Sequence, residues 1–372
     1  MIVLLLFSII ALILTYLSSK DQVKSGFKWG MFIITFIAAI HYNYGSDYES
    51  YFNWYQSFIS GDYSLADVLQ GAGGALGQDT DKEYGWRLLY WLVKPLGESG
   101  FYVLVALISI FQGVVVYQLI KKYVPKKWMV FALFVYLFDT TLYVGSFSGM
   151  RQHLAMAIIG CALPFILDKK IIIASILVLL STTIHQSAFI FLPFVIILGF
   201  FPIKNTRTVC VIYISILIAL IASDLLVGDL IARLFSMDVF EDYEHYAEIS
   251  GQSYGLGFLL SLIPIFVTLY YMLQNPKDNT NSTIVSLSAI TIVALPITLS
   301  VSMSFRLMYY FQFFNIISYP VVFGSIKNKI LRNGLIFLVA FYYLFNYYTF
   351  FHTVIRYDST YIYHSLFELF KY

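Results

Sequence analysis

The chain has 372 residues, of which 59% are hydrophobic and 12% are charged, and its formal net charge is +2. Its mean hydropathy is +0.77, whereas soluble domains carry about 25% charged residues. This composition excludes an ordinary soluble domain and predicts an all-α polytopic membrane protein.

Apolar segments recur along the whole chain at the length that a membrane helix requires, about 20 residues. The first begins at Ile2 and lacks both a basic leader and a small-residue cleavage site, so it is predicted to be a transmembrane helix rather than a removed signal. About twelve spans are predicted, at 2–18, 27–41, 101–120, 128–146, 150–167, 171–185, 187–202, 208–226, 255–273, 284–303, 306–325 and 333–350. A further amphipathic or re-entrant outer helix is predicted at 84–96.

Basic clusters fall in every second loop of this arrangement, which predicts that those loops are cytoplasmic. The clusters are Lys20, Lys24 and Lys28; Lys121, Lys122, Lys126 and Lys127; Lys169 and Lys170; Lys204 and Arg207; Lys277; and Lys327, Lys329 and Arg332. Both termini are then extracytoplasmic. One integral membrane domain, 1–372, is predicted, with an outer loop carrying amphipathic helices at 41–100, an acidic outer loop at 228–254 and an aromatic outer tail at 351–372.

Several common chemistries have no motif in the sequence. There is no Walker motif and no His-Glu-x-x-His. Cys161 and Cys210 lie inside apolar runs and are interpreted as buried small hydrophobes rather than as metal ligands or a disulfide. We therefore expect a metal-independent reaction without a cofactor.

Arg151 stands at the start of an apolar segment, directly after the polar turn Gly145–Gly149. A helix N-terminus has free N–H groups and a partial positive charge, so it favours anions. Arg306 repeats this arrangement at a later segment, and both arginines are candidate ligands of a diphosphate. The alternative is an interfacial arginine that extends its charge to the membrane surface.

His185 lies between two short apolar segments. Residues 171–203 are too few for two full crossings, which need about 40 residues, so the turn that carries His185 is expected to be recessed. A recessed histidine is a functional candidate, although a structural role stays open. His153 is predicted to be structural, because two residues along a helix place it about 200° from Arg151.

Two carboxylates are candidates for the general base of a reaction at a hydroxyl. Asp47 follows Gly45-Ser46, where an alternative role is to cap the next helix. Glu83 precedes Tyr84-Gly85-Trp86, and the neighbouring Arg87 would add charge to a phosphate site or pair with an acid. The sequence leaves the choice between the two carboxylates open.

An ordered set of motifs resembles the EpsG-like branch of the Wzy-type polysaccharide polymerases. The set consists of Gly45-Ser46-Asp47-Tyr48, Glu83-Tyr84-Gly85-Trp86, Gly149-Met150-Arg151-Gln152-His153, His185-Gln186-Ser187-Ala188 and Phe305-Arg306-Leu307. The family usually has arginine where this chain has His41, which puts His41 in doubt as a permanent phosphate ligand. Tyr84 likewise replaces a proline.

The resemblance implies a glycosyltransferase of GT-C-like architecture in the bacterial cytoplasmic membrane, with its site on the outer face. It would transfer a glycan from undecaprenyl diphosphate onto the terminal sugar of a second undecaprenyl-diphosphate-linked oligosaccharide. Arg151, Arg306, Arg87 and His41 are the candidate diphosphate ligands, and Asp47, Glu83 and His185 the candidate catalytic residues. A chain-length regulator and a flippase are candidate partners, and nucleic acid is not.

Two other functions are considered. A lipid-linked oligosaccharide flippase or transporter would place its charges near the midplane, often within inverted repeats, whereas the charged candidates here gather at one face. A membrane acyltransferase would need His185 near the cytoplasm, and the predicted topology places His185 outside.

Overall fold

The computed structural model describes residues 2–70, 83–200, 205–222, 256–275, 279–292 and 305–370. These residues are helical almost throughout, which agrees with the predicted all-α class. The acidic stretch 228–254 lies outside the described residues. The chain divides into two compact units: Met1–Cys161 with Leu179–Gln186 and Phe345–Tyr372 form the first, and Ala162–Val178 with Ser187–Leu344 form the second.

Seventeen α-helices are present among the described residues. In chain order they are α1 Ile2–Ser19, α2 Gly26–Ala39, α3 Ser46–Ser60, α4 Leu65–Gln70, α5 Tyr84–Val93, α6 Ser99–Tyr123, α7 Met129–Phe138, α8 Gly145–Ser148, α9 Met150–Leu167, α10 Ile171–Ile184, α11 Leu192–Phe200, α12 Thr206–Ala222, α13 Leu256–Gln274, α14 Asn279–Ala289, α15 Phe305–Gln312, α16 Asn315–Ser325 and α17 Lys329–Tyr357. Short 3-10 helices lie at Lys94–Leu96, Lys126–Trp128, Gln186–Phe191, Ser359–Tyr361 and Leu366–Phe370.

Four helices among the described residues are long and apolar enough to cross a membrane: Ile2–Ser19, Ser99–Tyr123, Met150–Leu167 and Lys329–Thr353. Shorter apolar helices occupy five more of the predicted spans. One of them, α10, rises only about 21 Å at 1.5 Å per residue, less than the thickness of a hydrocarbon core of about 30 Å. These helices fit a membrane location, and the count of twelve spans stays a prediction.

Two predicted spans are interrupted within the described ranges. The segment 128–146 was expected to be one helix, but α7 ends at Phe138. The Asp139 carboxylate accepts hydrogen bonds from the backbone N–H and the hydroxyl of Thr141, at 3.1 and 2.6 Å, and so stabilises a turn instead of another helical turn. The segment 306–325 likewise divides into α15 and α16. The prediction of continuous helices was wrong at both places.

The C-terminal tail is fixed to the start of the first outer loop. Strand β1, His41–Tyr42, pairs antiparallel with β2, His364–Ser365. The Tyr363 hydroxyl donates to the carbonyl of Ile37 at 3.0 Å, and the Gly45 N–H donates to the carbonyl of Thr360 at 2.8 Å. The tail therefore holds the backbone that leads into α3.

Candidate active site

A buried ionic cluster lies in the first unit and is centred on Glu83. One carboxylate oxygen, Oε2, accepts from Nη1 of Arg151 at 2.5 Å. The other, Oε1, is 2.8 Å from Nδ1 of His185 and accepts from the backbone N–H of Gln186 at 3.0 Å. Glu83 is 2% exposed and His185 is 6% exposed. Three sequence-predicted candidates, far apart in the chain, are thus brought into direct contact.

A glycine allows this contact. α5 begins at Tyr84, one residue after Glu83, and its second residue is Gly85. A Cβ atom on Gly85 would lie 2.2 Å from Oγ1 and 2.8 Å from the carbonyl oxygen of Thr183 near the end of α10. Because the two backbones approach so closely here, only glycine fits without moving α5. Gly85 therefore lets Glu83 reach the turn that follows α10.

The charges of the cluster compensate one another. Burial opposes ionisation of Glu83, but Arg151, His185 and the Gln186 N–H together outweigh it and hold the pKa of Glu83 below its usual range. Arg151 is the second residue of α9, where the positive end of the helix dipole disfavours a cation. The anionic Glu83 offsets both the dipole and the guanidinium.

Two aromatic rings of α3 complete the surroundings of Arg151. Its guanidinium carbon lies 5.1 Å from the ring centre of Tyr51 and 5.2 Å from that of Trp54, within the range of cation–π attraction. Burial, with a smaller contribution from Asp47, raises the pKa of the Tyr51 phenol, while the Arg151 charge opposes this shift. Tyr51 is buried and Trp54 is half-buried.

Asp47 lies on the same side of α3 as these rings, because residues 47, 51 and 54 are spaced one and two turns apart. The residue that precedes the helix as its N-cap is Gly45, with φ +78°, so Asp47 is inside the first turn and does not occupy the cap position. A Cβ on Gly45 would lie 2.4 Å from Oγ of Ser148. The start of α3 therefore packs on the turn that leads to Arg151.

Two further histidines hold that turn through the backbone. His153 contacts the carbonyl of Gly149 with Nδ1 at 2.8 Å and that of Thr141 with Nε2 at 2.7 Å. His41 contacts the carbonyl of Ala38 with Nδ1 at 2.5 Å and that of Phe147 with Nε2 at 3.0 Å. His41 also stacks on the Phe147 ring, with ring centres 4.7 Å apart. Both histidines face backbone oxygens with both ring nitrogens.

The remaining candidates are placed separately. Arg87 lies on α5 one turn beyond Glu83 and is 2% exposed. Arg306 belongs to the second unit, where it is the second residue of α15 and half-buried. Within the described ranges, no three His, Cys, Asp or Glu side chains are grouped closely enough to hold a metal ion.

Sequence reasoning missed the aromatic partners of Arg151 and the role of Gly85. The spacing of Asp47, Tyr51 and Trp54 was the available signal for one polar and aromatic face of α3. No local signal identified Gly85, since its close neighbour is about a hundred residues away in the chain.

Fold and cluster together define an all-α membrane protein with a buried carboxylate, arginine and histidine at helix ends. The EpsG family model matches residues 29–365, nearly the whole chain. The protein belongs to the EpsG family, and this membership indicates a polysaccharide polymerase of a glycosyltransferase-like kind. Comparison with the curated proteins and with the solved structures returned no significant match.

Proposed function

We propose that this protein polymerises a bacterial surface polysaccharide, such as an exopolysaccharide, a capsule or an O-antigen, at the outer face of the cytoplasmic membrane. Its donor is a glycan on undecaprenyl diphosphate, and its acceptor is the terminal sugar of a second undecaprenyl-diphosphate-linked oligosaccharide. The acceptor oxygen bonds to the anomeric carbon of the donor, the bond from that carbon to the phosphate oxygen breaks, and undecaprenyl diphosphate leaves. The proton of the acceptor hydroxyl passes to a carboxylate. Given that the protein belongs to the EpsG family, this proposal rests on one observation, the cluster of Glu83, Arg151 and His185.

Arg151 and Arg306 bind the donor diphosphate and stabilise the charge that develops as it leaves. An arginine at a helix start adds its fixed charge to N–H groups that already attract anions. Preorganised positive groups of this kind act most strongly on a leaving group that gains negative charge. The reaction then needs no metal ion. Arg87 adds positive charge near this site.

His185 assists as a second diphosphate ligand or as a proton carrier, and Asp47 or Glu83 activates the acceptor hydroxyl. Asp47 shares a face of α3 with the two rings that flank Arg151, which supports a place for the acceptor sugar beside the diphosphate. His41 has both ring nitrogens on backbone carbonyls, so we assign it to the support of the turn rather than to the diphosphate.

The aromatic tail, on the outer side with the two termini, covers the site and guides the glycan. A flippase supplies the lipid-linked repeat unit and a chain-length regulator acts on the product. The fixed attachment of the tail to the start of the outer loop supports the role given to the tail.

The reaction is tested with purified protein in liposomes that contain lipid-linked repeat units and a chelator. A ladder of products, with one polyprenyl diphosphate released for each new linkage, is expected. Arg151→Gln should give no ladder, whereas Lys122→Gln, a change at an exposed lysine of α6, should match the unaltered protein. Translocation of repeat units across the bilayer without any new linkage would support a flippase instead and would contradict the proposal.

A further inference from the structure

Glu83 uses both of its carboxylate oxygens in contacts with the protein itself. Oε2 accepts from Arg151, and Oε1 accepts from the backbone N–H of Gln186 and contacts Nδ1 of His185. The side chain is 3% exposed, compared with 12% for Arg151 and 8% for His185. The carboxylate is therefore the most enclosed member of the cluster, and its two side-chain partners are nearer the surface.

We infer that Glu83 is a positioning residue that fixes Arg151 and His185 relative to each other, and that the general base is not Glu83 but Asp47. This inference rests on the proposed function, because it assigns roles within the same glycosyl transfer. It resolves the choice between the two carboxylates that the sequence left open.

A base must take up a proton in the reaction, and the contacts of Glu83 oppose this. Protonation would remove the charge that compensates the largely enclosed Arg151 guanidinium, and a cation shielded from water without its counter-ion is costly. The same contacts keep the pKa of Glu83 below its usual range, which makes its carboxylate a weaker proton acceptor. Because efficient bases have a pKa near the working pH, Glu83 is poorly matched to that task.

A positioning carboxylate explains the local construction better. Arg151 and His185 lie on different elements, the start of α9 and the turn after α10, and Glu83 is the side chain that bonds to both. The Gln186 N–H fixes Oε1 independently of either side chain. Gly85 lacks a Cβ atom and so leaves room for Thr183, which lets the Glu83 carboxylate reach the turn after α10. A change at Glu83 should therefore act through the geometry of both cations.

Asp47 lies in a more open setting than Glu83. It is half-buried in the first turn of α3, close enough to Tyr51 to affect the pKa of that phenol. It lies on the face of the helix that carries Tyr51 and Trp54, the two rings that lie against the Arg151 guanidinium. An acceptor hydroxyl next to the donor diphosphate would thus meet Asp47 before it could reach the enclosed Glu83.

The test is a double-mutant cycle on single-turnover rates of purified protein with saturating lipid-linked repeat units. Glu83→Gln should slow the reaction about 10–100-fold, the cost of a misplaced catalytic group. Glu83→Gln should cost clearly less in the His185→Gln background than in the unaltered protein, because the part of its effect that acts through His185 is then already lost and only the part through Arg151 remains. Asp47→Asn should cost about 100–10,000-fold, the usual contribution of a general base.

The inference would be overturned if the rate losses of Glu83→Gln and His185→Gln simply multiplied in the double variant, or if Glu83→Gln were fully active. The proposed function would still stand in either case. Full activity of Asp47→Asn would overturn the assignment of the base. If Arg151→Gln were fully active, the proposed function itself would fail, and this outcome is distinct from the others.

Glu83→Asp keeps the buried charge and so provides a variant that should fold even if Glu83→Gln does not. Its side chain is shorter by one methylene group and cannot hold Arg151 and His185 at their present separation. We expect about a 10-fold loss of rate at saturating substrate. A loss of less than about 2-fold would contradict the positioning role.

Discussion

The buried histidines of the first unit use their ring nitrogens in two different ways. His185 contacts the Glu83 carboxylate with Nδ1, whereas His41 and His153 face backbone carbonyls with both nitrogens. A ring held between two carbonyls stabilises a turn, and a ring held by a carboxylate next to an arginine belongs to a charge network. The comparison teaches that the partner, rather than burial, separates a histidine of the site from one of the scaffold.

The largest expected effect comes from removing the cation of the network. Arg151→Ala should abolish polymer in cells and leave the single repeat unit on its lipid, with a loss of rate above about 100-fold, as for other preorganised charge-stabilising groups. Arg306→Ala should behave in the same way. The measurement is the length distribution of the extracted glycan, with Lys122→Ala as the exposed control. Normal chain lengths in both arginine variants would contradict the assignment of Arg151 and Arg306 as ligands of the diphosphate.

A change at Gly85 should disturb the network without altering any charged residue. In Gly85→Ala the new Cβ would meet Thr183 and displace the start of α5, which moves Glu83 away from His185. We expect about a 10–100-fold loss of rate, since small displacements of catalytic groups have costs of this size.

Gly334→Ala is the matched control for Gly85→Ala. Gly334 lies in α17, and a Cβ atom added to it would have no atom of the described residues within 4 Å beyond its own stretch of helix, so the rate should not change. Equal rates in Gly85→Ala and the unaltered protein would show that the close contact of α5 with α10 does not hold the site.

Replacing the scaffold histidine should affect stability more than rate. His153→Ala removes the contacts with Gly149 and Thr141, which should cost about 1–3 kcal/mol in free energy of unfolding. His185→Ala should reduce the rate with a smaller change in stability. Thermal unfolding in detergent and the rate per folded molecule separate the two, and the opposite pattern would reverse the assignment.

The smallest expected effect is a dependence of stability on acid pH. The pKa of Glu83 is lower in the folded protein than in the unfolded chain, so its ionised form stabilises the fold above the unfolded value, about pH 4.3. This contribution is lost as the pH falls through the folded pKa. The difference in melting temperature between the unaltered protein and Glu83→Gln should therefore shrink below about pH 4.3. A constant difference down to about pH 3 would contradict the ionised network.

The sequence predicted those features that depend on neighbouring residues. The predicted span 150–167 coincides with α9, and Arg151 was expected at a helix start because a polar turn precedes it. His153 was separated from Arg151 by the helical period alone, in agreement with its different contacts. Local composition is enough for such features, since a helix is defined by residues three to five positions apart.

Contacts between distant parts of the chain could not be predicted in this way. Glu83 and Arg151 are 68 residues apart, and no local pattern links them. Strands β1 and β2 have two residues each, too short for an alternating pattern to mark them. α7 ends at Phe138 because the Asp139 carboxylate bonds to Thr141, an effect that a count of apolar residues does not include. The cluster and the attachment of the tail are therefore tertiary findings.

The most direct test of the central claim is the affinity of the purified protein for a polyprenyl diphosphate that carries no sugar. Arg151→Gln should weaken binding by about 10–100-fold, because a charge-assisted hydrogen bond contributes about 1.5–3 kcal/mol. Lys122→Gln should bind with unchanged affinity. Equal affinity of Arg151→Gln and the unaltered protein would contradict the assignment of Arg151 to the diphosphate, and with it the proposed site.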